Sequence, residues 1–169
     1  MERLSNDITA VMKEAETEIE RFDLKYGEKI MAYFSEMPTI GGFPYRIIVV
    51  EKPDGIIYSG FRQWDTAHNI SQWTAGIYNL DRLRIITDEK ILPEADTAIL
   101  KAELLKLEQI ELPENIHNEK AIVLDGSEWK FGVSLAHKNI DYTWKTPTED
   151  INLFIPIIEL MRKQYPDKI

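Results

Sequence analysis

The chain has 169 residues, 44% hydrophobic and 29% charged, with a formal net charge of −9, which fits one domain able to bury roughly 70% of its unfolded surface. It contains no cysteine, which excludes disulfides, thiolate nucleophiles, zinc–thiolate sites and cysteine lipidation. The acid surplus argues against nucleic acid or an anionic membrane as partner, no window approaches the roughly 20 apolar residues that span a bilayer, and the acidic amphipathic start is unlike a signal-peptide core, so a cytoplasmic protein is expected.

Ile8, Met12, Ala15, Ile19, Phe22 and Tyr26 recur at spacings of four and three, the period of an amphipathic helix over about residues 5–26. That helix turns Lys13, Glu14, Glu16, Glu18, Glu20 and Arg21 outward. Gly27 can end it, although Ile30, Tyr33 and Phe34 prolong an apolar pattern until Pro38 and Gly41-Gly42 break the chain. Tyr45–Val50 is apolar on both faces, as a central strand is. Lys52-Pro53-Asp54-Gly55 is a turn in which proline sets φ and glycine takes the left-handed position, and Ile56–Arg62 returns, giving a hairpin over 45–62.

Residues 63–92 show no clean period, with Ile77–Leu80 and Leu83–Thr87 reading as further strands about a turn. After Pro93 a helix over 96–110 buries Leu104, Leu107, either Ile99 or Leu100, and either Leu105 or Ile110. Leu112-Pro113 closes it. Ala121 opens a run of strands. Within it Trp129, Phe131, Val133 and Leu135 alternate with Lys130, Gly132 and Ser134, and Ile140, Tyr142 and Trp144 alternate with Asp141, Thr143 and Lys145. These form a hairpin over 128–145 whose aromatic face needs a cover. A helix over 147–164 supplies it, with Thr146 as cap, Pro147 in the first helical position and Glu149 completing a capping box. Pro156 interrupts this helix. Either it bends near Asn152, or residues 147–151 form a short turn and the main helix starts at about Asn152, the version expected because Asn152 is a good cap.

The order hairpin-then-helix thus occurs twice, a weak internal repeat that places both helices on one sheet face. The expected fold is α+β: a single domain over 1–169 with an antiparallel sheet of about five to seven strands built from β-hairpin–helix units, plus an N-terminal helix.

Leu104-Leu105-x-Leu107-x-x-Ile110-x-Leu112-Pro113, Leu124-Asp125-Gly126-x-x-Trp129-x-Phe131, and Tyr142-x-Trp144-x-x-Pro147 ahead of an apolar helix resemble a pattern shared by small bacterial α+β domains. These include uncharacterised proteins and immunity or inhibitor proteins that bind a partner enzyme. The resemblance covers residues 100–163, under half the chain, at turn and core positions. It implies fold far more than function, and it carries no catalytic residue.

His68, His117 and His137 lie on irregular, loop and turn segments, and no His-x-x-x-His, Gly-x-Ser-x-Gly, Gly-x-Gly-x-x-Gly or P-loop spacing occurs. No catalytic residue, metal ligand or cofactor is assigned. Asp65 and His68 form the one short-range acid–histidine pair, either a metal or proton-transfer pair beside Trp64 or an ordinary cap. Asp125-Gly126 reads as a turn. Trp129, Tyr142 and Trp144 fall on the periodic core face, whereas Trp64 and Trp73 do not. The candidate binding residues are therefore Trp64, Asp65, His68, Trp73 and Tyr78.

Charge placement adds a second signal. Segments 1–36 and 88–119 carry −4 and −6, whereas 37–87 carries +1 and 120–169 is neutral. Such helices are usually solvated faces; the sharper reading is an acidic surface for a basic partner. The first functional expectation is a non-catalytic protein-binding domain, immunity-like or inhibitor-like towards a basic protein. The alternative is a small-molecule-binding domain with an aromatic groove of Trp64, Trp73 and Tyr78.

Overall fold

Two hairpins, joined through one strand that neither contains and extended by one further edge strand, make the sheet of this α+β protein. A computed structural model describes residues 4–5, 7–38, 43–74, 78–121 and 126–169. Along the chain these form β1 (Leu4–Ser5), α1 (Ile8–Glu20), β2 (Lys29–Pro38), β3 (Tyr45–Glu51), β4 (Ile57–Trp64), α2 (Thr66–Trp73), β5 (Tyr78–Asn79), β6 (Ile85–Ile91), α3 (Glu94–Glu108), β7 (Ser127–Ser134), β8 (Asn139–Trp144) and α4 (Ile155–Arg162). Short 3-10 turns lie at Leu80–Arg82 and Glu149–Leu153. Six strands form one antiparallel sheet in the order β6-β4-β3-β2-β7-β8, and β1 pairs separately with β5. No described helix is long and apolar enough to cross a membrane.

The β3–β4 hairpin forms over the expected residues. Gly55 has φ of 84°, its N–H donates to the Lys52 carbonyl at 2.9 Å, and Tyr45 to Glu51 pair in register with Gln63 to Ile57. The β7–β8 hairpin also forms as read, with Trp129 opposite Trp144 and Phe131 opposite Tyr142.

The N-terminal helix is shorter than its periodicity suggested. It stops at Glu20, Tyr26 is fully exposed, and Gly27 (φ 83°) turns the chain into β2. Residues 29–38 do not prolong a helix; they form the strand between β3 and β7. A register shift between Ile30 and Ala32 breaks the strand's alternation, so Ile30, Tyr33 and Phe34 imitate a helical spacing.

One sheet face carries the main core. Phe34, Ile47, Val49, Phe61, Phe131 and Trp144 pack against Leu100, Leu104 and Leu107 of α3 and Phe154, Ile157 and Met161 of α4. Of the open choices on α3, Leu100 is inward while Ile99, Leu105 and Ile110 are exposed. The helices are not all on this face. Helix α1 covers the other one, with Val11, Ala15 and Ile19 against Trp64, so the molecule has three layers.

Pro156 ends up near a helix start. Residues Glu149–Leu153 form the 3-10 turn, and α4 begins at Ile155 with proline in its first turn, where its missing N–H costs nothing. The start is three residues later than expected, and Phe154 rather than Asn152 precedes it. Nor does Thr146 cap: the turn follows Thr148, whose hydroxyl donates to Asp150 Oδ2 at 3.2 Å.

Asp96, buried in the first turn of α3, ties the two core helices together. Its Oδ1 accepts from Lys163 Nζ at 2.6 Å and its Oδ2 from Gln164 Nε2 at 2.9 Å. Lys163 first, then Gln164, hold its carboxyl below the usual carboxylate range.

Two measurements follow. Trp144 is buried, whereas Trp129, its stacking partner at 6.4 Å, is half-buried. Trp144→Ala should cost about 3–5 kcal/mol in urea unfolding and Trp129→Ala clearly less. Asp96 has a lower pKa folded than unfolded, so its contribution is complete above the unfolded value of about 3.9 and disappears as pH falls through the folded one. Stability should decline from about pH 5 to pH 2, and less steeply in Asp96→Asn. Equal slopes would remove Asp96 from the account.

Candidate functional site

The corner where β4 gives way to α2 holds three of the five candidate residues. Asp65 Oδ1 accepts from the His68 N–H at 3.1 Å, capping α2, while Oδ2 lies 3.2 Å from Arg84 Nε. Asp65 and His68 are therefore joined through a backbone cap and not through the imidazole, whose Nε2 lies 2.8 Å from Gln72 Nε2. Trp64 is 5% exposed and belongs largely to the packing under α1. The side chains of Trp73 and Tyr78, like Asp125, lie outside the described residues.

A surface depression of about 320 Å³ opens at this corner, lined by Phe43, Trp64, Asp65, Thr66, Ile86 and Lys168 among others. That is the lower end of the range for small-ligand sites. Phe43, 53% exposed, supplies the aromatic surface that the buried Trp64 does not. Sequence reading passed over it, although an aromatic residue directly after Gly41-Gly42 has no strand partner to hide it. Lys168 is already engaged: its Nζ donates to Asp88 Oδ2 at 2.6 Å and holds that carboxyl low. The Thr66 hydroxyl is buried with no hydrogen-bond partner among the described residues.

A second polar constellation lies beneath α1. Arg46 from β3, Arg62 from β4 and Lys130 from β7 rise from the sheet towards the helix. Glu20 Oε1 lies 3.7 Å from Arg46 Nη1, and Glu18 Oε2 lies 3.8 Å from Arg62 Nη2. Lys130 Nζ donates to Glu16 Oε1 and Glu20 Oε1, both at 2.9 Å. Burial opposes the Lys130 charge, but Glu20 and Glu16 outweigh it and its pKa is raised. Glu16, Glu18 and Glu20 thus face cations of the sheet, contrary to the expectation that they point outward.

Tyr33 extends this network. Arg46 sits over its ring at 4.0 Å, and its hydroxyl donates to Asp141 Oδ1 at 2.5 Å. Burial, then that bond to Asp141, push the phenol well above its ordinary value. The ring crosses β7 at Gly132, where a Cβ would strike it and come within 2.5 Å of Asp141 Oδ1. A smaller depression of about 200 Å³ adjoins Tyr33, Arg46 and Asp141.

The third feature is an acidic rim. After α3 the chain runs back along β8, moored by Ala136 N to Glu108 Oε1 at 2.9 Å, Tyr142 Oη to the Pro113 carbonyl at 2.5 Å, and Thr148 N to the Ile116 carbonyl at 2.8 Å. Ile116 is fully buried, which forces its polar neighbours outward. Glu111, Glu114, Glu119 and Glu149 are exposed, as are Leu105 on α3, Ile110 just past its end and Leu153 beyond Glu149. None of the five candidate residues lies on this rim; its signal was the −6 of segment 88–119.

Compared with models of known protein families and with curated proteins, the chain matches none.

The layer under α1 has a direct test. Lys130→Met leaves Glu16, Glu20 and Glu128 facing one another, so the variant should be less stable by about 1 kcal/mol. Because the new repulsion is between partly exposed charges, the deficit should shrink at about 0.5 M salt. A deficit independent of salt would assign the loss to packing of the lysine stem.

Proposed function

We propose that this protein is a non-catalytic protein-binding domain for a basic partner, with immunity-like or inhibitor-like capture of that partner as its sharpest form. The supporting observation is how the fold divides the acidic surplus. Glu16, Glu18 and Glu20 of α1 are neutralised within the chain by Lys130, Arg62 and Arg46. Glu111, Glu114, Glu119 and Glu149 have no such cation among the described residues. Exposed carboxylates steer a basic partner, and the neighbouring Leu105, Ile110 and Leu153 offer apolar contacts once water is displaced. Residues 100–163 resemble small bacterial α+β domains that include uncharacterised proteins and some immunity or inhibitor proteins, which is in keeping with this reading.

An inhibitor tends to be encoded beside its target, so the product of the adjacent gene is the probe. Its association rate should fall as salt rises from about 0.05 to 0.5 M. The triple variant Glu111→Lys, Glu114→Lys, Glu119→Lys should slow association about tenfold or more, with unfolding midpoint unchanged. A rate indifferent to both salt and the triple variant defeats the proposal.

A second reading, a small-molecule-binding domain, is favoured by the depression beside Trp64 and Asp65. On that reading Phe43→Ala would abolish ligand-induced changes in tryptophan fluorescence and leave association at the rim untouched.

A further inference from the structure

Among the described residues β6 lies at one end of the sheet and is hydrogen-bonded on one side only, to β4. Two bonds set the phase of that ladder: Leu92 N to the Ile57 carbonyl at 2.9 Å, and Asp65 N to the Arg84 carbonyl at 3.1 Å. In an antiparallel ladder alternate residues bond inward, so the even residues 84 to 92 are the ones directed at β4. Ile85, Thr87, Glu89 and Ile91 turn their N–H and C=O groups away from the sheet.

Edges of this kind are commonly guarded by charge. Here two of the three charged residues are tied down: Asp88 to Lys168, and Lys90, whose Nζ donates to the Gln164 carbonyl at 2.7 Å. What the edge presents instead is apolar, with Ile91 69% exposed and Ile86 37% exposed.

We infer that β6 pairs antiparallel with β6 of a second copy of this chain, joining two six-stranded sheets across a two-fold axis at Asp88. In this register Ile85 lies opposite Ile91 of the other copy, and Thr87 lies opposite Glu89. All four outward residues of each copy bond, giving four hydrogen-bonded pairs of two bonds each. The Ile85–Ile91 pairs cover the most exposed isoleucine of the strand, and the Thr87 hydroxyl can donate to the Glu89 carboxylate. The two Asp88 carboxylates meet on the opposite face, each already neutralised by its Lys168.

Neighbouring registers are worse. Centring on Glu89 sets two unpaired glutamates directly opposite, and centring on Thr87 sets Ile85 against Glu89; each also drops one hydrogen-bonded pair. The far edge offers no comparable surface. The outward residues of β8, Asn139, Asp141 and Thr143, are polar, and the adjoining Lys145 N–H already donates to His117 Nδ1 at 3.3 Å.

The test is the mass of the intact chain by sedimentation from about 1 to 500 µM, since self-association is driven by concentration. The native chain should pass from one to two copies, and the Ile85, Thr87, Glu89 and Ile91 amides should gain hydrogen-exchange protection over the same range. Thr87→Pro removes an outward donor without touching the β4 ladder, and Ile91→Lys replaces the apolar pair with charge. Each should raise the dimer dissociation constant about tenfold or more. Should the proline variant fail to fold, as judged by circular dichroism, Ile91→Lys decides alone. A native chain still single at about 500 µM overturns the inference, as does a dimer indifferent to Ile91→Lys or one whose four amides stay unprotected.

Discussion

Everything in this fold depends on β2. It bonds β3 on one side and β7 on the other, so it alone joins the two hairpins into one sheet. Ala32 and Phe34 face α3 and α4, while Tyr33 faces the layer under α1, and one strand thereby contributes to both sides. Without it the sheet would fall into a three-stranded piece, β6-β4-β3, and a two-stranded ribbon, β7-β8, each with a helix that has too little sheet to cover. Each hairpin is followed along the chain by a helix on the same sheet face, but neither hairpin with its helix completes a core on its own.

The two faces of that sheet solve different physical problems. Beneath α3 and α4 it is dry: stacked and tilted rings run from Phe34 through Tyr45 and Phe61 to Tyr165. The Tyr165 hydroxyl donates to the Ser59 carbonyl at 2.7 Å, and burial pushes that phenol up to about 12. Beneath α1 the sheet is polar, and cations on β3, β4 and β7 meet anions of the helix. Half-exposed pairs such as these add little stability individually. Their larger effect is on orientation, because only one rotation of α1 puts Val11, Ala15 and Ile19 on Trp64 and three glutamates over three cations.

This arrangement also redistributes charge in a way that composition conceals. Two acidic segments look equivalent along the chain, yet Glu16, Glu18 and Glu20 of one are met by cations of the sheet while Glu111, Glu114 and Glu119 of the other face solvent. The candidate residues around Trp64 behave similarly. Asp65 turns out to hold α2 and Arg84, Trp64 packs under α1, and the exposed aromatic at that corner is Phe43. Groove and rim lie on different parts of the surface, and they suit ligands of different kinds.

Sequence by itself determined what local periodicity and turn chemistry control. Alternation at Trp129–Leu135 and Ile140–Trp144 defined one hairpin, Pro53-Asp54-Gly55 closed the other, and Leu104 and Leu107 marked the inner face of α3, while the choice of Leu100 over Ile99 was left to packing. Backbone geometry makes those patterns legible over a few residues. Tertiary structure alone decided the identity of β2, whose bulge between Ile30 and Ala32 erases the period of two. It alone decided which way Glu16, Glu18 and Glu20 point, because Arg46, Arg62 and Lys130 lie some 26 to 114 positions away in the chain. A glutamate facing solvent and one facing the sheet look the same in sequence; the charge brought opposite by the folded sheet distinguishes them.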